Sequence, residues 1–150
     1  MRYVGFNECF HDAGIAIITE DGEIEFATSS ERYTKVKYDN IIPQELIDLT
    51  KEDDQFFFYE DPELRLERFK DMYDPLILSD VSNYKKFANK ELTFKFNHFL
   101  DHHKSHAANG FYTRPWESSE DTVIMTMDGV GEFETYTLYS HKFEKLDSWS

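Results

Sequence analysis

Cysteine is almost absent from this chain of 150 residues: Cys9 stands alone, so no internal disulfide can form and a reducing compartment suits it. No apolar run approaches the length that crosses a bilayer, and the start, Met1-Arg2-Tyr3-Val4-Gly5-Phe6, lacks the long apolar core of a signal peptide. A soluble cytoplasmic protein without membrane partners is the expectation. Positive charge is scarce as well. Sixteen Lys and Arg face 30 Asp and Glu, a formal net charge of −14, which repels phosphate backbones and argues against nucleic acid as a partner. Rings, by contrast, are abundant: 14 Phe and 9 Tyr point to an aromatic core or to a surface that meets more protein. At this length one core, or one core and a piece of another, is expected.

The residues with the densest chemistry run from Asp101 to Tyr112. His102 and His106 stand four apart, which on a helix stacks two imidazoles on one face, near enough to grip one divalent ion. Two ligands leave such an ion incomplete. Asp128, in the acidic and glycine-rich Asp128-Gly129-Val130-Gly131-Glu132, is the candidate third. Histidines at this spacing also occur with no ion at all, simply lining a loop.

Around this stretch the pattern is that of strands and short helices. Arg2 to Asn7 alternates as a strand does, Ala13 to Ile18 is a nearly continuous apolar run, and Asp21-Gly22 signals a hairpin into Glu23 to Thr28, with Ile24 and Phe26 on one face. The turn joining the first two strands carries His11 and Asp12, followed by small residues that let a ligand approach the backbone; an ordinary polar turn has the same composition. Arg32, Lys35 and Lys37 then gather cations that suit an anionic ligand, or equally a solvated connector pairing with surplus acids. Pro43 fits a first helical position, with Leu46, Ile47 and Leu49 as the apolar stripe of a helix to about Lys51. From Gln55 to Glu91 one or two helices are expected, including Pro62 to Met72 and broken at Pro75, with no chemistry; Tyr84, Lys85 and Lys86 read as a solvated face. Leu92 to Phe99 reads as a strand leading into a helix from His103 to Tyr112. Beyond it come a buried strand, Thr122 to Met127, a turn at Asp128 to Glu132 and a returning strand, Phe133 to Ser140.

Both ends of the chain therefore follow one plan, strand, acidic turn, strand. Two such units facing one another describe actin-like and sugar-kinase-like ATPases, in which the two turns approach the phosphates of one nucleotide. The expected fold is α/β, actin-like or ribonuclease-H-like, with a first subdomain at residues 1–120 and the opening hairpin of a second at 121–150. Glycine in such turns lets backbone N–H groups approach anionic oxygens, which makes Asp128, Gly129 and Gly131 the candidates for nucleotide contact.

Four motifs, His11-Asp12-Ala13-Gly14, Glu31-Arg32-Tyr33-Thr34-Lys35-Val36-Lys37, His102-His103-Lys104-Ser105-His106-Ala107-Ala108 with Phe111-Tyr112, and Met127-Asp128-Gly129-Val130-Gly131-Glu132, follow one another in that order. Together they resemble the nodulation-type O-carbamoyltransferase family, over the chain outside roughly Gln55 to Glu91. The resemblance implies ATP and carbamoyl phosphate as ligands, a carbamoyl-adenylate, and a hydroxyl-bearing small molecule as acceptor. It implies His102, His106 and Asp128 as ligands of a divalent metal, iron first and manganese or magnesium as alternatives. It also implies His11 and Asp12 as catalytic residues, and Arg32 and Lys37 as contacts for carbamoyl phosphate. Tyr38 stands where the family often has histidine, which bears on acceptor contacts. Family chains run well beyond this length, so a remaining C-terminal catalytic portion, in the same or another chain, is an expected partner. Two other readings fit the residues: a non-catalytic actin-like interaction module, binding neither metal nor nucleotide, and a relative of the tRNA threonylcarbamoyl-transfer proteins, against which the charge of −14 counts.

Overall fold

The computed structural model describes residues 1–9, 12–65, 67, 92–96, 98–117, 119–131 and 133–150. His11, Pro75, the Tyr84 to Lys86 face and most of the helix expected at Pro62 to Met72 lie outside them, although a helical turn does begin at Pro62.

The fold is mixed α/β, with a five-stranded mixed sheet and a separate three-stranded antiparallel sheet. Strands β1 (Arg2–Asn7), β2 (Gly14–Thr19) and β3 (Ile24–Ser29) form an antiparallel meander. Their bounds match those expected from the sequence to within a residue. The Asp21-Gly22 hairpin is present, with Gly22 at φ 83, a left-handed conformation that favours glycine. On the far side of β1 lie β4 (Gln55–Phe58) and the two-residue β5 (His98–Phe99), both parallel, giving the order β3-β2-β1-β4-β5.

Strand β4 corrects the expectation of helix after Gln55. Phe58 is fully buried beside Phe6, and Phe56 leans on the same core. Phe57 points the opposite way and stacks on His98 with ring centroids 4.8 Å apart. A strand with rings on both faces has a continuous apolar run and no readable period.

One face of the sheet carries the core. Val4 and Phe6 of β1 sit opposite Ile17 and Ile15 of β2, and all are buried with Ile42, Leu46 and Phe94. Leu46 belongs to α2 (Gln44–Ile47), a single turn capped by Pro43 that follows the equally short α1 (Glu31–Thr34) and is much shorter than expected. The Thr50 hydroxyl takes the Ile47 carbonyl, while the Lys51 amide turns to Asp54 Oδ2 at 2.8 Å, so the next helical bond is not made and Leu49 is left exposed. Residues 92–96 do not form the expected strand. The buried carboxylate of Glu8 accepts bonds from the Thr93 amide and, at 2.7 Å, its hydroxyl, holding this segment over the core so that Phe94 packs edge-on to Phe6.

The opposite face of the sheet bears small residues in register, Gly5 beside Ala16 beside Ala27, and here it faces α3 (His102–Tyr112) across a cavity. Asp101 caps α3, its Oδ1 accepting the Lys104 amide at 2.6 Å and the Tyr139 hydroxyl at 3.0 Å. The three-stranded sheet is β6 (Val123–Gly131), β7 (Glu134–Ser140) and β8 (Lys145–Trp149), with β7 paired on both sides. Strand β8 has no counterpart in the sequence reading. Asp128 to Gly131, expected as a turn, instead continue β6, with the register slipping between Met127 and Gly131. Nor is β6 buried throughout: Val123, Met125 and Met127 are exposed, whereas Thr126 is buried against α3.

Candidate metal centre

Helix α3 begins where its cap places three histidines in the first turn and a half, and successive rings go to different neighbours. His103 is buried and turns to the three-stranded sheet: Nε2 lies 2.6 Å from the Glu134 carbonyl and Nδ1 2.8 Å from Thr126 Oγ1. A carbonyl only accepts, so Nε2 donates to it, and Nδ1 pairs with the Thr126 hydroxyl. His103 is thus a clamp between helix and sheet. Ser105 ties the helix to the larger sheet, its hydroxyl donating to the Tyr59 carbonyl at 2.6 Å.

His102 and His106 face the cavity, as their spacing requires. Their Nε2 atoms are 3.1 Å apart, and Asp128 Oδ2 lies 2.5 Å from that of His102 and 3.5 Å from that of His106. An ion about 2.0–2.1 Å from each of two donors, with angles between octahedral and tetrahedral, holds them roughly 2.8–3.4 Å apart. The observed triangle brackets those values. Two imidazole nitrogens and one carboxylate oxygen are also a donor set that suits a divalent transition metal with open positions for substrate, and they are the cluster of this kind found among the described residues.

Electrostatics divide the two rings. Burial works against a charge on His102, but the carboxylates of Glu60 and Asp128 outweigh it and hold its pKa above the usual histidine value. His106 is pushed down by burial and by its neighbour His102.

The cavity, of about 960 Å³, is walled by the small-residue face of the larger sheet, by α3 and by Asp128. Asp12 lines it as well, on the turn after β1, where Cys9 at φ 84 and Asp12 at φ 50 are left-handed without being glycine. Such strain persists only where the surroundings enforce it. Here the Cys9 amide bonds to the Asn40 carbonyl at 2.9 Å, the Ala13 amide to that of Asp39 at 2.7 Å, and the Asn7 amide group to that of Asp12 at 2.8 Å. Gly14 follows because a Cβ there would meet the Thr28 carbonyl oxygen at 2.9 Å.

Asp12, His102, His106 and Asp128 are therefore brought to one cavity. Arg32 and Lys37 are not among its lining residues; both are exposed, Lys37 lying over the Tyr38 ring at 4.7 Å. Gly129 stands on β6 beside Asp128 without lining the cavity, and Gly131 ends the same strand. Arg65 does line it, and so does Tyr59. The sequence reading assigned no chemistry to that region, yet it also supplies Glu60, fully buried 3.6 Å from His102 Nδ1. The one available signal was Asp61-Pro62, a capped first helical turn directly after an aromatic strand.

A family model described as carbamoyltransferase N-terminus matches residues 58–148. An uncharacterised protein of Synechocystis sp. is 27% identical over 177 aligned positions, which cover 95% of this chain and 28% of that protein. An uncharacterised protein of Methanocaldococcus jannaschii is 30% identical over 80 positions, 53% of this chain and 12% of its own length. The chain thus spans less than a third of the length of these curated relatives.

Proposed function

The chain belongs to the carbamoyltransferase N-terminus family, and from that premise we propose that its cavity serves ATP-dependent O-carbamoyl transfer, in which carbamoyl phosphate and ATP yield a carbamoyl-adenylate whose carbamoyl group passes to a hydroxyl of a small molecule. The observation that carries this reading is the convergence of His102, His106 and Asp128 on one point at the wall of the cavity. A divalent ion held there supplies Lewis-acid neutralisation of phosphate oxygens. The chain's own residues do the remaining work. Asp12 and Asp128 approach the cavity from two different hairpins, which supports the actin-like reading of the fold. The bare face formed by Gly5, Ala16 and Ala27 leaves room for a flat or bulky ligand against the sheet. Arg32 and Lys37, exposed outside the cavity lining, are proposed to meet the anionic carbamoyl donor on its way in. His11 is the proposed base for the acceptor hydroxyl.

The direct test is titration of the metal-free protein with Co²⁺, an air-stable stand-in for Fe²⁺, followed by ATP. One ion per chain is expected, with His106→Ala and Asp128→Asn each abolishing it and with ATP binding only to the loaded protein. Failure of the unmodified chain to take up Co²⁺, or uptake undiminished in both variants, refutes the assignment.

A further inference from the structure

We infer that Glu60 is a positioning residue of this centre: its buried carboxylate stands 3.6 Å from His102 Nδ1 as the charge partner of that nitrogen and so holds the ring with Nε2 turned to Asp128 and His106. The inference rests on the metal reading above and adds a residue to it.

Three features of the structure carry it. Glu60 has no exposed surface, and its Oε2 lies 3.6 Å from His102 Nδ1, on the edge of the ring opposite the 2.5 Å contact with Asp128. The imidazole therefore stands between two carboxylates, one at each nitrogen. A ligating histidine needs one nitrogen bare and the other protonated, and an acceptor at the second nitrogen decides which is which. Glu60 stands where that acceptor has to stand.

The surrounding chain is built to keep a carboxylate there. Burying a carboxylate is costly unless a cation accompanies it. Asp61 caps the helical turn that starts at Pro62, accepting the amides of Glu63 at 2.8 Å and Leu64 at 3.4 Å. That turn brings Arg65 back to within 3.3 Å of Glu60 Oε2. The pair is close to neutral as a unit, so Glu60 can face His102 without adding a full negative charge to the site. The Tyr59 ring, edge-on to His102 at 6.2 Å between centroids, limits rotation of the imidazole. A carboxylate serving only as counter-ion to Arg65 would have no reason to stand at a ring nitrogen of the histidine that meets Asp128.

The test uses Zn²⁺, which is diamagnetic. In the Zn²⁺-loaded protein the His102 Nδ1–H is expected as a downfield proton resonance protected from exchange, and Glu60→Gln should move it upfield while weakening Zn²⁺ binding about ten- to a hundredfold. A purely structural role would lower stability and leave that resonance in place. If Glu60→Gln fails to fold, the double variant Glu60→Gln with Arg65→Gln removes the ion pair as a unit and is read in the same way. Unchanged affinity and an unchanged Nδ1–H resonance, or ligation of the ion through Nδ1, overturn the inference while leaving the metal centre standing. Absence of Zn²⁺ binding by the unmodified chain overturns both.

Discussion

Replacing His103 with alanine should unfold the protein more readily than any change to the histidines on either side of it. The ring is buried and bonded at both nitrogens, to Thr126 Oγ1 at 2.8 Å and to the Glu134 carbonyl at 2.6 Å. Alanine removes both bonds and leaves the hydroxyl and the carbonyl without the partner that satisfied them, at about 1–3 kcal/mol each. Thr126 retains a long contact to the Thr137 carbonyl at 3.5 Å, so its share falls at the low end. A cavity of imidazole size adds to this. The total is about 3–4 kcal/mol, which with a urea m-value of about 2 kcal/mol/M lowers the midpoint by about 1.5–2 M. His106→Ala is the control, because its side chain is 52% exposed and alanine favours the helix; in metal-free protein it should cost less than about 0.5 kcal/mol. Urea unfolding followed by circular dichroism measures both. A His103→Ala cost no greater than that of His106→Ala would show that the ring does not join helix to sheet.

Two further outcomes are expected. Arg2 donates through Nε and Nη2 to both oxygens of Asp54, and although burial pushes the Asp54 pKa up, this guanidinium and the Lys51 amide outweigh it and hold it below the usual carboxylate range. A depressed folded-state value stabilises above the unfolded value of 3.8, so the cost of Asp54→Asn, about 2 kcal/mol, should be complete above pH 5 and shrink as pH falls below 4; a cost independent of pH in urea titrations would contradict this. Gly14→Ala places a methyl 2.9 Å from the Thr28 carbonyl and 3.3 Å from Asn7 Oδ1, so thermal unfolding should reveal a loss of about 2 kcal/mol, and an unchanged midpoint would show that the backbone yields there.

The parts of the fold that sequence made legible are those where one face of an element is buried and the other is not. Burial alternates along β1 and β2, where Val4, Phe6, Ile15 and Ile17 meet the core while Gly5 and Ala16 look into the cavity. Strand β4 has rings on both faces, and with the alternation gone its four residues resembled nothing in particular. Leu92, Phe94 and Phe96 alternate truly and do reach the core, yet the backbone there is bonded to Glu8 rather than to a neighbouring strand. Periodicity reports which side chains are buried, and only indirectly which hydrogen bonds the backbone makes. Glu60 was illegible for a related reason: it stands beside His102, a partner distant in sequence, while the local pattern at Asp61-Pro62 marks only the start of a helical turn.

The misreading of β6 is the most informative of these. Val123, Met125 and Met127 look like the inward face of a strand, yet they are the exposed face, and the inward positions are held by Thr126 and Asp128. Strand geometry sends residues 126 and 128 to the same side, so the clamp from His103 to Thr126 sets where Asp128 stands relative to His102. On the helix the same rule runs at its own period, since 102 and 106 share one face while 103 turns to another. Two polar residues two apart on β6 are thereby matched to two histidines on α3, one matched pair for packing and one for the candidate ion. A hydrophobic residue at 126 or 128 would restore the ordinary pattern and break that match, which is the physical reason local rules fail at this point in the chain.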